Sequence, residues 1–233
     1  MIKATAKKVQ IDDLQMDALR EVGVVGASYA SKALARLSGR EVVSDRTECH
    51  VFPDTRLPRS IGSPGDIFAG VTIDVQTDPR TRILMLFPKD VATVFSDKLF
   101  GRSSSGGRPP TNEDREALVE MGDICIREYL IPITKFLRVE LMPNAPVAFF
   151  DRIGPEMAFP ASLIKLHAPY SVRIQTDFVD AQRRLQCCIF FLPDSATQDL
   201  TFRRFGVDLE TQAQTFKRLS PVEEKGNAVQ GGK

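Results

Sequence analysis

Four ionisable residues at helical spacing are the part of this 233-residue sequence whose side chains could do chemistry. They follow one another at steps of four, three and four residues, and they are Glu116, Glu120, Asp123 and Arg127. Such steps place side chains along one exposed line of a helix, where carboxylates and a guanidinium can meet a charged partner. In most proteins, however, such a line is only the solvated face of a helix.

The helix that would position this line is well marked between Thr111 and Leu130. A stripe of apolar and small residues at helical spacing predicts that the opposite face is buried: Leu118, Met121, Gly122, Cys125 and Tyr129. Thr111 and Asp114 have the spacing of a capping box, which predicts where the helix begins. Further along, Pro132 is expected to disturb the helix, because proline cannot donate a backbone hydrogen bond.

The same helix pattern occurs once before, at an offset of 99 residues. Apolar positions from Leu14 to Ser38 keep helical spacing, and Gly39 predicts the helix end. The line that corresponds to the later ionisable one contains Asp17, Glu21, Val24 and Ser28. The two copies differ in character at Val24, an apolar residue where the later copy has Asp123.

Both helices are followed by the same order of predicted elements. An extended segment and a pair of strands precede a short helix that begins after a proline and ends at a glycine. These residues are thirteen positions apart in both halves, at Pro88 and Gly101 and again at Pro193 and Gly206. Equal spacing at the end of each half supports a duplication.

A duplicated unit of this kind cannot bury both its sheet face and its helix stripe alone, so the two copies should pack together. The sequence predicts a single α/β (α+β) domain over residues 1–206, with pseudo-twofold symmetry and helices packed on a mixed or antiparallel central sheet. Its halves cover about residues 14–101 and 111–206, and residues 102–110 have the composition of an exposed linker. The tail, residues 207–233, is expected to be partly disordered.

Composition argues against several broad functional classes. Thirty-one basic and thirty acidic residues leave a net charge of +1, so no global field attracts nucleic acid or an anionic membrane. The longest apolar runs are strand-sized, far shorter than a membrane-spanning helix requires. The N-terminus lacks the pattern of a secretory signal, which makes a cytoplasmic location the default expectation. The four cysteines lack CxxC spacing, and no metal site is predicted.

Both helix segments and both strand–helix ends resemble the CheC, CheX and FliY family of chemotaxis phosphatases. The segments ALREVGVVGASYASKALARLSGREV and EALVEMGDICIREYL resemble the two copies of that family's helix signature. In this signature, a Glu and an Asn three residues later lie on an exposed helix face. The segments FPKDVATVFSDKLFG and FLPDSATQDLTFRRFG resemble the end of each half in the family. The resemblance spans about residues 14–206.

The resemblance implies binding to a phosphorylated CheY-like response regulator and hydrolysis of its phosphoaspartate. The family's Glu pairs with a lysine of the partner and its Asn orients the attacking water, while the partner supplies Mg²⁺ and the phosphatase needs no cofactor of its own. On this motif, the Glu is Glu21 in the first copy and Glu120 in the second. The Asn position holds Val24 and Asp123. Because Val24 cannot hold a water, the first site is degenerate.

Asp123 raises an electrostatic question, because its carboxylate would approach a phosphoryl group that is already anionic. Two like charges about 4 Å apart cost on the order of 4 kcal/mol at an effective dielectric constant near 20, or roughly three decades in rate. Pairing with Arg127, one turn further on, could offset much of this cost. Protonation of Asp123 in the complex could offset it as well.

Two functional hypotheses follow from the sequence. The first is a phosphatase of a CheY-like response regulator with one weakened site, in which Glu120 and Asp123 are catalytic and Glu21, Glu116 and Arg127 contribute to binding. The second is a non-catalytic binding module of the same fold, comparable to the middle domain of the flagellar switch protein FliM, and the loss of Asn from both copies favours it. Regulation through a CheD-like deamidase partner is a third possibility.

Overall fold

The computed structural model describes residues 11–51, 56–76, 81–103, 107–157, 172–183 and 185–207. Within these ranges one order of elements occurs twice: a long helix, three strands and a shorter helix. The first half contains α1 (Asp13–Ser38), β1 (Val42–Val51), β2 (Ile67–Asp74), β3 (Arg82–Pro88) and α2 (Lys89–Leu99). The second half contains α3 (Asn112–Leu137), β4 (Val147–Arg152), β5 (Val172–Asp180), β6 (Gln186–Leu192) and α4 (Ser195–Phe205). A short 3₁₀ turn, Arg59–Ile61, lies between β1 and β2.

All six strands form one antiparallel sheet in the order β1-β5-β6-β3-β2-β4. Replacing each strand by its counterpart in the other half gives β4-β2-β3-β6-β5-β1, which is the same order read from the opposite edge. The first strand of each half pairs with the hairpin of the other half, so the halves are interlocked through the sheet. This arrangement confirms the predicted α/β fold with pseudo-twofold symmetry.

The symmetry axis passes through the pairing of β3 with β6. Residues 105 apart are equivalent here, as Pro88 and Pro193 are, and Leu84 pairs with Phe190 while Met85 pairs with Ile189. The axis therefore runs between these two residue pairs. The helices α1 and α3 begin 99 residues apart, so six additional residues of the second half lie between α3 and β5.

The helices in the described ranges pack on one face of the sheet. Met85 and Phe87 of β3 point to that face and belong to the main core, which also contains residues from all four helices. Leu84 and Leu86 point to the opposite face, where they belong to a smaller apolar cluster covered by the 3₁₀ turn through Ile61. The alternation follows from the period of two in a strand.

Both long helices begin where local signals predict, and α1 also ends where they predict. Thr111 and Asp114 form a capping box at the start of α3, and Asp12 forms one with Gln15 at the start of α1. Gly39 ends α1 with a left-handed backbone, at a φ of 62°. The helices that carry both polar lines are therefore specified largely by their own sequences.

The expected disturbance at Pro132 does not occur, because α3 continues as a helix to Leu137. Residues on both sides of the proline, including Leu130 and Ile133, are buried in the main core. Packing of this face therefore keeps the chain helical despite the backbone hydrogen bond that proline cannot donate. The predicted tail lies outside the described residues from position 208 onwards.

A candidate partner-binding ridge on helix α3

The predicted ionisable line lies on the solvent side of α3, and we call Glu116, Glu120, Asp123 and Arg127 the α3 ridge. Glu116, Glu120 and Arg127 are exposed, and the Asp123 side chain is half-buried, with 33% of its surface accessible. The structure therefore brings the predicted residues together on one accessible surface.

The opposite face of α3 fixes the ridge in relation to the sheet. The predicted stripe is buried throughout and contains Leu118, Met121, Gly122, Cys125 and Tyr129. A Cβ atom at Gly122 would lie 2.5 Å from Cγ1 of Val71, so only a glycine allows the helix to lie this close to β2. Close packing on a sheet gives the ridge a rigid support.

The two long helices also pack tightly against each other. A Cβ atom at Gly26 of α1 would lie 2.8 Å from the ring of Tyr129, which is fully buried between the helices and the sheet. On the outside, Nη2 of Arg36 lies 3.0 Å from Oε1 of Glu128 and joins α1 to α3. Sequence reasoning missed this ion pair, because its partners lie 92 residues apart.

Glu120 has an exposed carboxylate on the α3 ridge. Among the residues that the structure describes, it forms neither an ion pair nor a side-chain hydrogen bond. Glu116 is in the same state one turn earlier. An exposed carboxylate without an internal partner is free to pair with a cation on another molecule, and such pairs fix the orientation of a complex.

A groove of about 260 Å³ lies beside Glu120, between α3, α2 and the end of α1. Its apolar lining includes Phe95 and Leu99 from α2, Met121 from α3 and Leu37 from α1. A partner that pairs with Glu120 can therefore also bury an apolar side chain next to it. Residues from three elements form this groove, so helical periodicity alone could not reveal it.

Asp123 and Arg127 form an ion pair along the ridge. Nε of Arg127 lies 2.7 Å from Oδ1 and 2.8 Å from Oδ2 of Asp123, and donates to the carboxylate. This hydrogen bond raises the pKa of Arg127 above its ordinary value. The pair that the sequence suggested is therefore present. Because 46% of the Arg127 side chain is accessible, this ion pair contributes little to folding stability.

The corresponding surface on α1 has the same position and different chemistry, and we call Asp17, Glu21, Val24 and Ser28 the α1 ridge. Glu21 is exposed, and Val24 presents an apolar side chain with 41% of its surface accessible. The Ser28 hydroxyl donates to the backbone oxygen of Val25 at 2.8 Å. The α1 ridge therefore keeps a carboxylate but has no group at Val24 that can hold a water.

An ion-pair network holds the start of α3. Arg108 donates to both carboxylate oxygens of Asp114, at 2.7 and 2.6 Å, and to Oδ1 of Asp97 in α2 at 2.7 Å. Arg102 adds a contact of 3.2 Å with Asp97. Arg108 holds the pKa of the buried Asp114 carboxyl well below its usual range. The described part of the predicted linker is thus fixed to both helices, which its composition did not indicate.

Neither a metal cluster nor a membrane span was found in the part of the chain that the structure describes. No group of three or more His, Cys, Asp or Glu residues there is arranged to hold a metal ion. None of the helices there is long and apolar enough to cross a bilayer.

Two long helices, each with an exposed glutamate, pack on one sheet in which the first strand of each half pairs with the other half, and together they form a two-repeat α/β domain. No family model matches the chain. The CheY-P phosphatase CheC of Bacillus subtilis (strain 168) is 24% identical over 204 residues, which cover 85% of this chain and 97% of CheC. The crystal structure of FliY from Thermotoga maritima superposes with a TM-score of 0.61 at 11% identity, covering 83% of this chain and 96% of FliY.

A third similar protein is the middle domain of FliM from H. pylori. It superposes with a TM-score of 0.55 at 10% identity, covering 83% of this chain and 99% of that domain. At this identity the solved structures establish the fold. Together, the curated sequence relatives and the structural neighbours support the CheC, CheX and FliY family for this chain, and with it a role in the chemotaxis phosphatase group.

Proposed function

We propose that this protein binds a phosphorylated CheY-like response regulator through the α3 ridge and promotes hydrolysis of its phosphoaspartate. The observation that carries the proposal is the exposed carboxylate of Glu120, which has no partner among the described residues and lies on a ridge supported by the sheet. Glu120 pairs with a lysine of the partner, and Asp123 holds the attacking water three residues further along the helix. The alignment with the relative named CheY-P phosphatase CheC covers most of this chain and nearly all of that relative.

The chemistry requires positioning more than covalent participation. A water held in line with the bond between phosphorus and the aspartyl oxygen gains from proximity, and the charge on the phosphoryl group is met by Mg²⁺ that the partner supplies. Asp123 accepts a hydrogen bond from this water but cannot donate one as an amide does. The activity is therefore expected to be weaker than that of a site with Asn.

The alternative is a non-catalytic module that binds a response regulator or a flagellar switch component. The observation that favours it is the side chain at the water-orienting position, which is Val24 on α1 and Asp123 on α3. The similarity to the FliM middle domain fits this reading as well. A CheD-like partner and a cytoplasmic location remain predictions from the sequence.

The two functions are separated by the lifetime of the phosphorylated response regulator, which we call the receiver. We expect substoichiometric protein to shorten the lifetime of a phosphorylated CheY-like receiver in the presence of Mg²⁺, measured as released phosphate. The variant Glu120→Ala should abolish this effect. A non-catalytic module would bind the phosphorylated receiver without shortening its lifetime at any concentration, and that result would remove the phosphatase proposal.

The variant Asp123→Asn provides a second discriminator. It replaces a charged carboxylate by an amide of almost the same shape, which can both accept and donate a hydrogen bond. If the α3 ridge still contacts the phosphoryl group, this change should raise the hydrolysis rate, by up to roughly three decades if the whole charge penalty acts on the barrier. If the ridge only docks, hydrolysis should remain at the rate of the receiver alone.

A further inference from the structure

Arg127 has donors that the Asp123 ion pair does not use. Its Nε meets both oxygens of Asp123, whereas both Nη atoms make no hydrogen bond within the described residues. The guanidinium is exposed on the same ridge as Glu120, and Nη groups of an arginine in this state can donate to an anion.

The composition of this pair resembles that of an amide. An Asn side chain is neutral and offers one acceptor oxygen together with N–H donors. The Asp123 and Arg127 pair is also neutral overall, with carboxylate acceptors at one end and free guanidinium donors at the other. The α1 ridge has no such combination at the two equivalent positions, since Val24 is apolar and the Ser28 hydroxyl is bound to the helix backbone.

We propose that Asp123 and Arg127 act as one neutral donor and acceptor unit in place of the amide, in an inference that rests on the proposed function. Asp123 accepts a hydrogen bond from the attacking water, and the Nη groups of Arg127 donate to the phosphoryl oxygens. Positions 123 and 127 are one helical turn apart, about 6 Å along the axis, which is within reach of a water and an adjacent phosphoryl group. Arg127 is thus a catalytic residue as well as a binding residue.

The reaction step is an in-line displacement at phosphorus. The water oxygen forms a bond to phosphorus, and the bond between phosphorus and the aspartyl oxygen breaks, its electron pair remaining on the partner's carboxylate. One water proton passes to Asp123 and then to solvent. Arg127 stays protonated throughout and lowers the cost of bringing the Asp123 carboxylate near an anionic group.

A double-mutant cycle on the full-length protein tests whether the two residues act together. The variants are Arg127→Gln, Asp123→Asn and both combined, assayed as receiver dephosphorylation at saturating receiver and separately for receiver affinity. Arg127→Gln alone should lower the turnover rate by about tenfold or more, because an arginine donor to a transferring phosphoryl group commonly contributes at least this much. In the Asp123→Asn background, the same change should cost less than about threefold, because the amide supplies its own donor.

A matched control comes from α1. Arg20 also has 46% of its side chain accessible and forms an exposed ion pair, with Asp17 at 3.1 Å. Arg20→Gln should leave turnover unchanged. The inference would be overturned if Arg127→Gln lowered the turnover rate equally in the wild-type and Asp123→Asn backgrounds. It would also be overturned if wild type were active and Arg127→Gln did not lower its turnover rate. Either result leaves the phosphatase proposal standing. If the wild-type protein has no phosphatase activity and Asp123→Asn does not create any, both the inference and the phosphatase proposal are wrong.

Discussion

The α1 and α3 ridges occupy equivalent places in the fold but do not present equivalent chemistry. Each helix has a glycine at the same repeat position, and a Cβ atom at Gly23 or Gly122 would lie 2.5 Å from a side chain of the sheet. Each also presents one exposed glutamate, Glu21 or Glu120. The difference lies three residues later, where α1 has a valine and α3 has an aspartate paired with Arg127.

This difference shows that the scaffold and the site are specified separately. The two ridges are held by equivalent glycine contacts, by one capping box each and by one shared sheet. The fold of α1 is therefore intact although Val24 replaces the polar residue found on α3. Under the proposed function, one side chain per ridge separates a surface that can hold a water from one that can only dock. Changes made at equivalent positions of the two helices test this separation.

Among changes made to the α1 ridge, the largest effect on the rate of dephosphorylation is expected from giving it the residue that it lacks. In a Glu120→Ala background, which removes the α3 site, Val24→Asn would place an amide three residues after Glu21. Receiver dephosphorylation should then exceed that of the Glu120→Ala parent by roughly tenfold to a hundredfold, because a positioned water contributes on this scale. A rate equal to that of the parent would mean that the α1 ridge no longer meets a phosphoryl group.

The starts of the two helices should respond differently when one side chain that supports the cap is removed. Arg108→Ala leaves the buried carboxylates of Asp114 and Asp97 without their closest cation, which should lower the free energy of unfolding by about 3 kcal/mol. Gln15→Ala, at the position on α1 equivalent to Asp114, should cost only about 1 kcal/mol. Urea unfolding at neutral pH measures both, and equal losses would contradict the distinction.

The same network predicts how acid acts on the second half. Because Arg108 lowers the folded-state pKa of Asp114, this carboxyl stabilises the fold above its unfolded pKa of about 4 and loses that contribution as the pH falls further. Urea unfolding should therefore show that the stability gap between wild type and Arg108→Ala narrows from pH 7 to pH 3. A gap that widens over this range would reverse the expected sign.

The smallest difference between the two halves is expected where the two helices are alike. Gly122→Ala places a methyl group against Val71, and Gly23→Ala places one against Ile174. Both side chains are branched at Cβ and cannot turn away easily, so each change should lower the free energy of unfolding by about 1–3 kcal/mol despite the better helix propensity of alanine. Losses that differ widely between the two variants would show that the halves are not supported equivalently.

Local signals in the sequence accounted for the helices and their exposed lines. The buried stripe of α3 and its capping box at Thr111 and Asp114 follow from residues within one or two turns. The duplication predicted two interacting halves, but not that β1 and β4 each pair with the hairpin of the other half, since strand register depends on distant residues. Continuation of α3 through Pro132 likewise depends on tertiary packing.

The site was predictable to a similar extent. Glu120, Asp123 and Arg127 lie on one helix, so their spacing alone indicated a shared surface and an ion pair. The groove beside Glu120 and the bond from Arg108 to Asp97 involve residues from separate elements, which no local pattern connects. The Ser and Gly content of residues 102–110 suggested an exposed linker. This composition carries no information about the partners of an arginine.

We infer that the α3 ridge, and not the α1 ridge, acts on the phosphoryl group. The most direct measurement compares Glu120→Ala with Glu21→Ala in the rate at which substoichiometric protein dephosphorylates a CheY-like receiver. Glu120→Ala should return the decay to that of the receiver alone, whereas Glu21→Ala should stay within about fivefold of wild type, the range expected for an exposed charge. Full activity in Glu120→Ala together with loss of activity in Glu21→Ala would contradict the account.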